Sequence, residues 1–429
     1  MKIYNLFPLL AGSLQAWQPH LNRAADMGFD WIFVNPVQLP GQSGSLYSIK
    51  DFFAINPDFL DPDSRLTAED QVRAIVHYGE TRGLRFMADL VINHCAYDSP
   101  LLKEHPDWFV REQGRVVHPS CDHNGERVEW QDLAQFDHRS TDRGLYAYCL
   151  EVVDYLMSLG FRGLRCDAAY QIPGTFWQKL IRDTRKKYPD AVFLAETLGC
   201  SPEQTRETAQ AGFDYIFNSS KWWDFSSPWL MEQQKATNVP SISFPESHDT
   251  PRLYSESCGN TDALRQRYLF AGLFSAGVMM PMGYEYGFTH PLHVVNTKPT
   301  DWEHTSVDIT DFIRHINQVK SNYPVFAEET QTEVLGHPNP AVLILNKKSR
   351  KNQGEALIIL NKDAWNWQHF HSNDLYEYVE TAPPLQDVSP EWPQDYLPTP
   401  FQFELMPGMG RILVTPESRH ATSSPSSKQ

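Results

Sequence analysis

Long apolar runs, paired cysteines and basic blocks are what this chain has least of. No apolar stretch approaches the roughly 20 residues that cross a bilayer, so no membrane partner is expected. The six cysteines, Cys95, Cys121, Cys149, Cys166, Cys200 and Cys258, follow neither a pairing nor a metal-ligand spacing. That scatter fits reduced thiols in a cytoplasmic protein and gives no indication of zinc. Asp and Glu number 53 against 37 Lys and Arg, a formal charge of −16, and no Lys/Arg-rich block offsets it locally. Such a charge repels a phosphate backbone, so nucleic acid is not an expected partner. The opening run from Ile3 to Ala11 is broken by Asn5 and Pro8 and leads straight into helical periodicity, so it reads as a first strand rather than a secretory signal.

What is present is a long alternation. A chain of 429 residues can bury more than one core. Short apolar runs near 3–10, 31–36, 85–93, 161–167, 192–197, 214–218, 241–246 and 278–284 alternate with helical patterns, as in repeated βα units around a parallel sheet. Leu14, Trp17, Leu21, Ala24 and Ala25 mark the first helix; Leu264, Tyr268, Leu269 and Leu273 mark the seventh; residues 309–319 form the eighth. From about residue 322 the pattern turns to strands, at 341–346, 355–361, 401–405 and 410–414. The segment 417–429, rich in serine and without a large apolar residue to bury, is expected to be disordered.

The chemistry gathers at strand ends. In Gly160-Phe161-Arg162-Gly163-Leu164-Arg165-Cys166-Asp167, alternation puts Arg165 and Asp167 on one side of a strand, where the guanidinium favours the ionised carboxylate that a nucleophile needs. By itself such a pair is as readily a structural ion pair. Three other runs end in the same way: Ala88-Asp89-Leu90-Val91-Ile92-Asn93-His94, Leu194-Ala195-Glu196-Thr197, and Phe244-Pro245-Glu246-Ser247-His248-Asp249-Thr250-Pro251-Arg252. In a parallel barrel the carboxyl ends of all strands surround one pocket, so these groups can meet.

These four runs, in this order, resemble the signature regions of the α-amylase superfamily, glycoside hydrolase family 13. The resemblance covers nearly the whole chain and implies a TIM (β/α)8 barrel (1–94 and 138–321), a short domain B inserted after strand 3 (95–137) and a C-terminal antiparallel β-sandwich, domain C (322–416). It implies a retaining hydrolase that cleaves α-glucosidic bonds in oligosaccharides or α-glucan. Asp167 matches the nucleophile, Glu196 the general acid and later base, and Asp249 the third carboxylate. Tyr47, His94, His248, Arg165 and Arg252 match substrate-binding or acid-organising positions, and Asp89 matches a support for Arg165. The strand of Glu196 carries no neighbouring cation, so its pKa is expected to be raised. Phe52 and Phe53 are assigned to packing, and His105, His118 and His123, irregularly spaced, to solvated or groove-lining positions.

Some positions depart from the family pattern. Tyr170-Gln171 stands where many endo-acting amylases carry a Lys-His pair, which argues for short α-glucosides or chain ends over internal cuts in starch. Asn93 matches a frequent calcium ligand, but calcium takes six or more oxygens and no further ligands can be named, so no metal and no cofactor is expected. The segment around Asp301-Trp302-Glu303 resembles maltosyltransferases that use maltose 1-phosphate, which keeps a transglycosidase as the alternative. A non-catalytic binding protein of amylase type is the third reading, opposed by the intact Asp167, Glu196 and Asp249. Nothing in the sequence sets the oligomeric state.

Overall fold

All eight expected runs are strands: β1 (Lys2–Leu6), β2 (Trp31–Val34), β3 (Arg85–Leu90), β4 (Gly163–Cys166), β5 (Val192–Ala195), β6 (Tyr215–Phe217), β7 (Ser241–Ser243) and β8 (Gly277–Pro281). In the computed structural model, which describes residues 1–123, 126–139, 144–330, 332–350, 354–380 and 384–415, they pair in parallel into one closed barrel of order 1-8-7-6-5-4-3-2. The segment 417–429 and the side chain of His123 lie outside what is described. All eight strands are shorter than their apolar runs, and at two of them a proline is the cause. Pro8 starts a short helix, Pro8–Ala11, where β1 was expected to continue, and Pro245, with no N–H to give to a ladder, follows the end of β7.

Period-2 alternation sorts the strand side chains into two cores. Ile3, Trp31, Phe33, Met87, Leu194, Ile242 and Met279 fill the barrel interior. Their neighbours Tyr4, Ile32, Val34, Phe86, Ala88, Leu164, Phe193 and Val278 pack outward. The outer layer is made by α1 (Gln18–Asp26), α2 (Ala68–Glu80), α3 (Leu145–Ser158), α4 (Gly174–Lys187), α5 (Pro202–Ala209), α6 (Trp229–Ala236), α7 (Thr261–Phe274) and α8 (Thr310–Asn322). Thr67, Ser201 and Asn260 cap α2, α5 and α7 through their side-chain oxygens, which satisfies amide groups that have no partner within the helix. Gly163 opens β4 because a Cβ there would lie 2.9 Å from the ring of Trp31 and 3.0 Å from Met87 Cε.

After β3 the chain leaves the barrel. His94–Ala96 pairs antiparallel with Leu133–Gln135, and between them sit two small hairpins, Arg111–Glu112 with Arg115–Val116 and Ser120–His123 with Glu126–Glu129. His105 stacks on Trp108 at 3.8 Å, and His118 Nδ1 lies 2.8 Å from the Leu133 carbonyl, so both are held by packing and backbone contacts.

The carboxyl-terminal part is an antiparallel five-stranded sheet of β9 (Thr332–Leu335), β10 (Val342–Lys348), β11 (Glu355–Asn361), β13 (Gln386–Asp387) and β15 (Gly410–Val414). A two-stranded ribbon of β12 (Gln368–Ser372) and β14 (Phe401–Leu405) faces it. Ile344, Leu357, Ile359 and Leu413 of the sheet meet Phe370, Phe401 and Leu405 of the ribbon in a separate core. α7 joins this part to the barrel: Gln266 Nε2 donates to the Asn361 carbonyl at 2.7 Å, and buried Lys347 donates to the Leu273 carbonyl at 3.0 Å. Among the described residues no helix is long and apolar enough to cross a membrane.

Candidate active site

The register of β3, β4 and β5 makes the site. Arg165 lies opposite Asp89 on β3 and Leu194 on β5. Asp167 and Glu196 each follow two residues further along, on the same inward side. Arg165 Nη1 is 2.9 Å from Asp89 Oδ1 and 2.6 Å from Asp167 Oδ1, and its Nη2 is 3.9 Å from Glu196 Oε2. One buried guanidinium therefore serves three carboxylates. The pairing of Arg165 with Asp167 read from the strand is present, and Asp89 completes the support. The absence of a cation near Glu196 requires correction: Arg165 reaches it from the neighbouring strand, a contact invisible along β5 alone.

Glu196 is also held by backbone donors, from Ala168 N at 2.7 Å to Oε2 and from Leu198 N at 3.1 Å to Oε1. Ala168, next to Asp167, adopts a left-handed backbone at φ 43°, a conformation that costs energy for a residue with a Cβ and aims its N–H at Glu196. Burial, joined by the charges of Asp167 and Asp249, pushes the Glu196 pKa up to about 7 against the pull of Arg165 and the Ala168 N–H. Burial also raises Asp89, to about 6, against Arg165. Burial thus opposes the ionisation of Glu196 and Asp89 although one cation lies beside both.

On the far side of the pocket Tyr47, His248 and Asp249 form a second group. The Tyr47 hydroxyl donates to Asp89 Oδ2 at 2.7 Å, accepts from Asn35 Nδ2 at 2.9 Å and lies 2.7 Å from His248 Nε2. The two rings are parallel, 5.8 Å apart. His248 Nε2 is 3.0 Å from Asp249 Oδ2, and the Asp249 side chain is 52% exposed, so it opens into the pocket. Burial acts to raise the pKa of Asp249, but the adjoining imidazole outweighs it and the value lies below the usual one. His94 is buried beside the Tyr47 carbonyl at 3.1 Å, and burial lowers its pKa, which favours the neutral ring.

Seven of the eight predicted residues thus meet: Asp167, Glu196, Asp249, Tyr47, His94, Arg165 and His248. Arg252 does not join them. It is buried, paired with Glu246 at 2.8 Å and donating to the His290 carbonyl at 3.0 Å, so it braces the turn after β7. It borders a separate cavity of about 610 Å³ that also takes in His290, Trp302 and Glu303. Phe52 is buried as expected, whereas Phe53 is 36% exposed and lies edge-on to Tyr148 and Tyr155. Sequence reading missed Asn5 and Asn35, which continue the chain of hydrogen bonds behind Tyr47 at 2.8 Å. Their signal was a polar residue at or just beyond the end of an apolar strand, the same signal used for the acids. Asn93 Nδ2 donates to Gln171 Oε1 at 2.8 Å, and Gln171 Nε2 to the Ser120 carbonyl. These amides serve each other, which fits a brace between the hairpins and the barrel better than a calcium cage.

The barrel thus gathers three carboxylates on one arginine at the carboxyl ends of its strands. A family model described as "Glycogen debranching enzyme, glucanotransferase domain" matches residues 1–111. The alpha-1,4-glucan:maltose-1-phosphate maltosyltransferase of Burkholderia pseudomallei is 25% identical over 378 residues, covering 82% of this chain and 32% of the relative. The cyclomaltodextrinase of Geobacillus thermopakistaniensis is 25% identical over 307 residues, covering 65% of this chain and 50% of its own. In fold, the alpha-amylase of Geobacillus thermoleovorans, solved with acarbose, superposes with a TM-score of 0.77 at 16% identity, covering 96% of this chain and 97% of that one. The alpha-amylase of Lactobacillus plantarum gives 0.77 at 20%, covering 96% and 98%. In sequence and in fold the chain is thus similar to enzymes of the α-amylase superfamily. It spans between 30% and 62% of the length of the maltosyltransferases compared.

Proposed function

We propose that the chain is a retaining enzyme acting on α-glucosidic bonds of oligosaccharides or α-glucan in the cytoplasm, working without a metal. The observation that carries this is the single guanidinium shared by Asp167 and Glu196, with Glu196 holding a pKa of about 7. Double displacement asks for two carboxyls about 5–5.5 Å apart, one ionised and one protonated. Asp167 attacks the anomeric carbon while Glu196 gives its proton to the leaving oxygen, which breaks the glycosidic bond. Glu196, now a carboxylate, takes a proton from the incoming acceptor as that oxygen attacks the same carbon and Asp167 departs. Asp249 and His248 hold hydroxyls of the reacting sugar, His94 offers a neutral ring to another, and Tyr47 forms the wall beneath it.

Hydrolysis is the leading reading, and transfer to a sugar or phosphate acceptor is the second. The second has specific support, since six of the seven maltosyltransferases compared align over 79–89% of this chain. A time course on maltooligosaccharides, with and without inorganic phosphate, separates them by product length and anomeric form. Shorter products of retained configuration identify a hydrolase; longer products, or release of a sugar 1-phosphate only with phosphate, identify a transferase. Absence of any turnover in either condition rejects both.

A further inference from the structure

The three most exposed tryptophans among the described residues, Trp365 at 65%, Trp392 at 62% and Trp367 at 58%, all belong to the carboxyl-terminal sheet. By contrast, Trp17, Trp31, Trp177 and Trp223 are essentially sealed. Leaving three indoles in water forgoes burial that such large rings ordinarily find.

Topology brings them together. Trp365 and Trp367 sit in the loop after β11, whose end residue Leu360 pairs with Gly410. β13 runs antiparallel to β15 and leaves toward the same end: Val388 N donates to the Ile412 carbonyl, and Arg411 Nη1 donates to the carbonyls of Glu391 and Trp392 at 3.0 and 2.9 Å. Both loops therefore emerge at the Gly410 end of the sheet, one on each side of β15. Both also rest on the first turns of α7, through Asn260 to the Ala364 carbonyl at 2.7 Å and Arg265 to Glu391 at 3.3 Å. Because α7 starts from the carboxyl face of the barrel, the tryptophans stand toward the face that holds Asp167 and Glu196.

The loops are rigid displays. Asp363 accepts from Trp365 N and Asn366 N, at 2.8 and 3.1 Å, and from the Asn366 amide at 2.9 Å. Asn361 Nδ2 closes the loop on the Asn366 carbonyl at 2.9 Å. Trp392 is held in a left-handed backbone, φ 44°, a conformation disfavoured for a bulky residue and maintained by the buried Arg411.

We infer that these rings form a second glucan-binding surface, which holds a polymeric α-glucan chain outside the catalytic pocket. The occupant follows from the chemistry of the patch. Exposed polar residues alternate with the rings along the chain, Asn366 between Trp365 and Trp367, and Gln394 and Asp395 between Trp392 and Tyr396, itself 75% exposed. A net charge of −16 disfavours anionic lipid and nucleic acid. Flat rings with hydrogen-bonding neighbours suit a neutral chain of pyranoses, each with an apolar face and a hydroxylated edge. The choice of α-glucan rests on the function proposed above.

The test is native electrophoresis of the full chain in gels containing amylopectin, alongside turnover of a short maltooligosaccharide and sedimentation velocity. Wild type is expected to be retarded. W365A/W367A/W392A is expected to lose that retardation, with its apparent Kd raised about tenfold or more, while its maltooligosaccharide turnover is unchanged. Asp167→Ala is expected to lose turnover and stay retarded. If the triple variant does not fold, W392F and W365F, which keep a ring, are compared with W392A and W365A, and only the alanine forms are expected to migrate freely. Equal retardation of wild type and the alanine variants overturns the inference, as does a wild type that amylopectin does not retard. A wild-type dimer that these substitutions convert to monomer also overturns it, by assigning the surface to a second copy. Retardation lost in the tryptophan variants of a protein with no maltooligosaccharide turnover upholds the surface and removes only the catalytic reading.

Discussion

Two buried arginines, Arg165 in the barrel and Arg411 in the carboxyl-terminal sheet, begin alike and end differently. Each is sealed from solvent and pairs with an aspartate, and burial works to lower the pKa of each. Arg411 has one carboxylate in direct contact, Asp387, together with the carbonyls of Glu391 and Trp392 and the ring of Phe403 beneath it. Its pKa falls, because that single ion pair does not offset desolvation. Arg165 has Asp89, Asp167 and Glu196, and its pKa rises well above the usual value. The surplus lies with the acids: three carboxylates compete for one cation, and Glu196 and Asp89 hold protons to about 7 and 6. A matched pair makes a staple, whereas an excess of acids around one cation leaves a carboxyl able to give a proton.

Removing the reacting carboxylate breaks the comparison most sharply. Asp167→Ala is expected to lower turnover of maltooligosaccharides by roughly 10⁴-fold or more while leaving thermal unfolding unchanged, read by steady-state kinetics and calorimetry on the same preparation. Near-normal turnover removes the assignment. Glu196→Gln is expected to lower turnover by about 10²–10⁴-fold. In wild type the donor form is lost as pH rises through about 7, so kcat/KM falls on that side; the glutamine variant retains no such limb.

Asp89→Ala and Asp387→Ala set the two arginines side by side. Asp387→Ala strands a buried guanidinium and is expected to cost about 3–5 kcal/mol in denaturant unfolding, whereas Asp89→Ala leaves Arg165 paired with Asp167 and is expected to cost less. The Asp387 variant keeps its turnover per folded molecule, whereas the Asp89 variant loses much of it, since Asp89 also receives the Tyr47 hydroxyl. Equal activity in the two rejects the distinction between staple and site. A smaller effect follows from linkage. Glu196 and Asp89 bind protons more tightly folded than unfolded, so their stabilising contribution is complete below pH about 4 and is lost as pH rises through about 6 and 7. Chemical unfolding midpoints from pH 5 to 8 show this as a decline that Glu196→Gln reduces. The smallest effect concerns metal: with Asn93 and Gln171 bonded to each other, incubation with a chelator is expected to leave activity unchanged, and a loss restored by calcium contradicts this.

Much of this protein is legible along the chain, because strand alternation and helix periodicity are local properties. Each apolar run of two to five turns of pattern became a strand or helix near its expected place, and Arg165 and Asp167, two residues apart, had to share a side. The ends of elements were less legible, since Pro8 and Pro245 act through missing backbone donors rather than through polarity. The strands β9, β12 and β13 escaped notice because they are short and only partly apolar, and β12 and β13 also find their partners far along the chain. The sequence by itself determined which residue types stand at the strand ends. Only the tertiary structure decided their company: the register that sets Asp89 against Arg165, the reach of that guanidinium to Glu196, and the turn that ties Arg252 to Glu246 instead. Charge interactions of this kind depend on distances and burial between strands that lie tens of residues apart, and no local pattern encodes those.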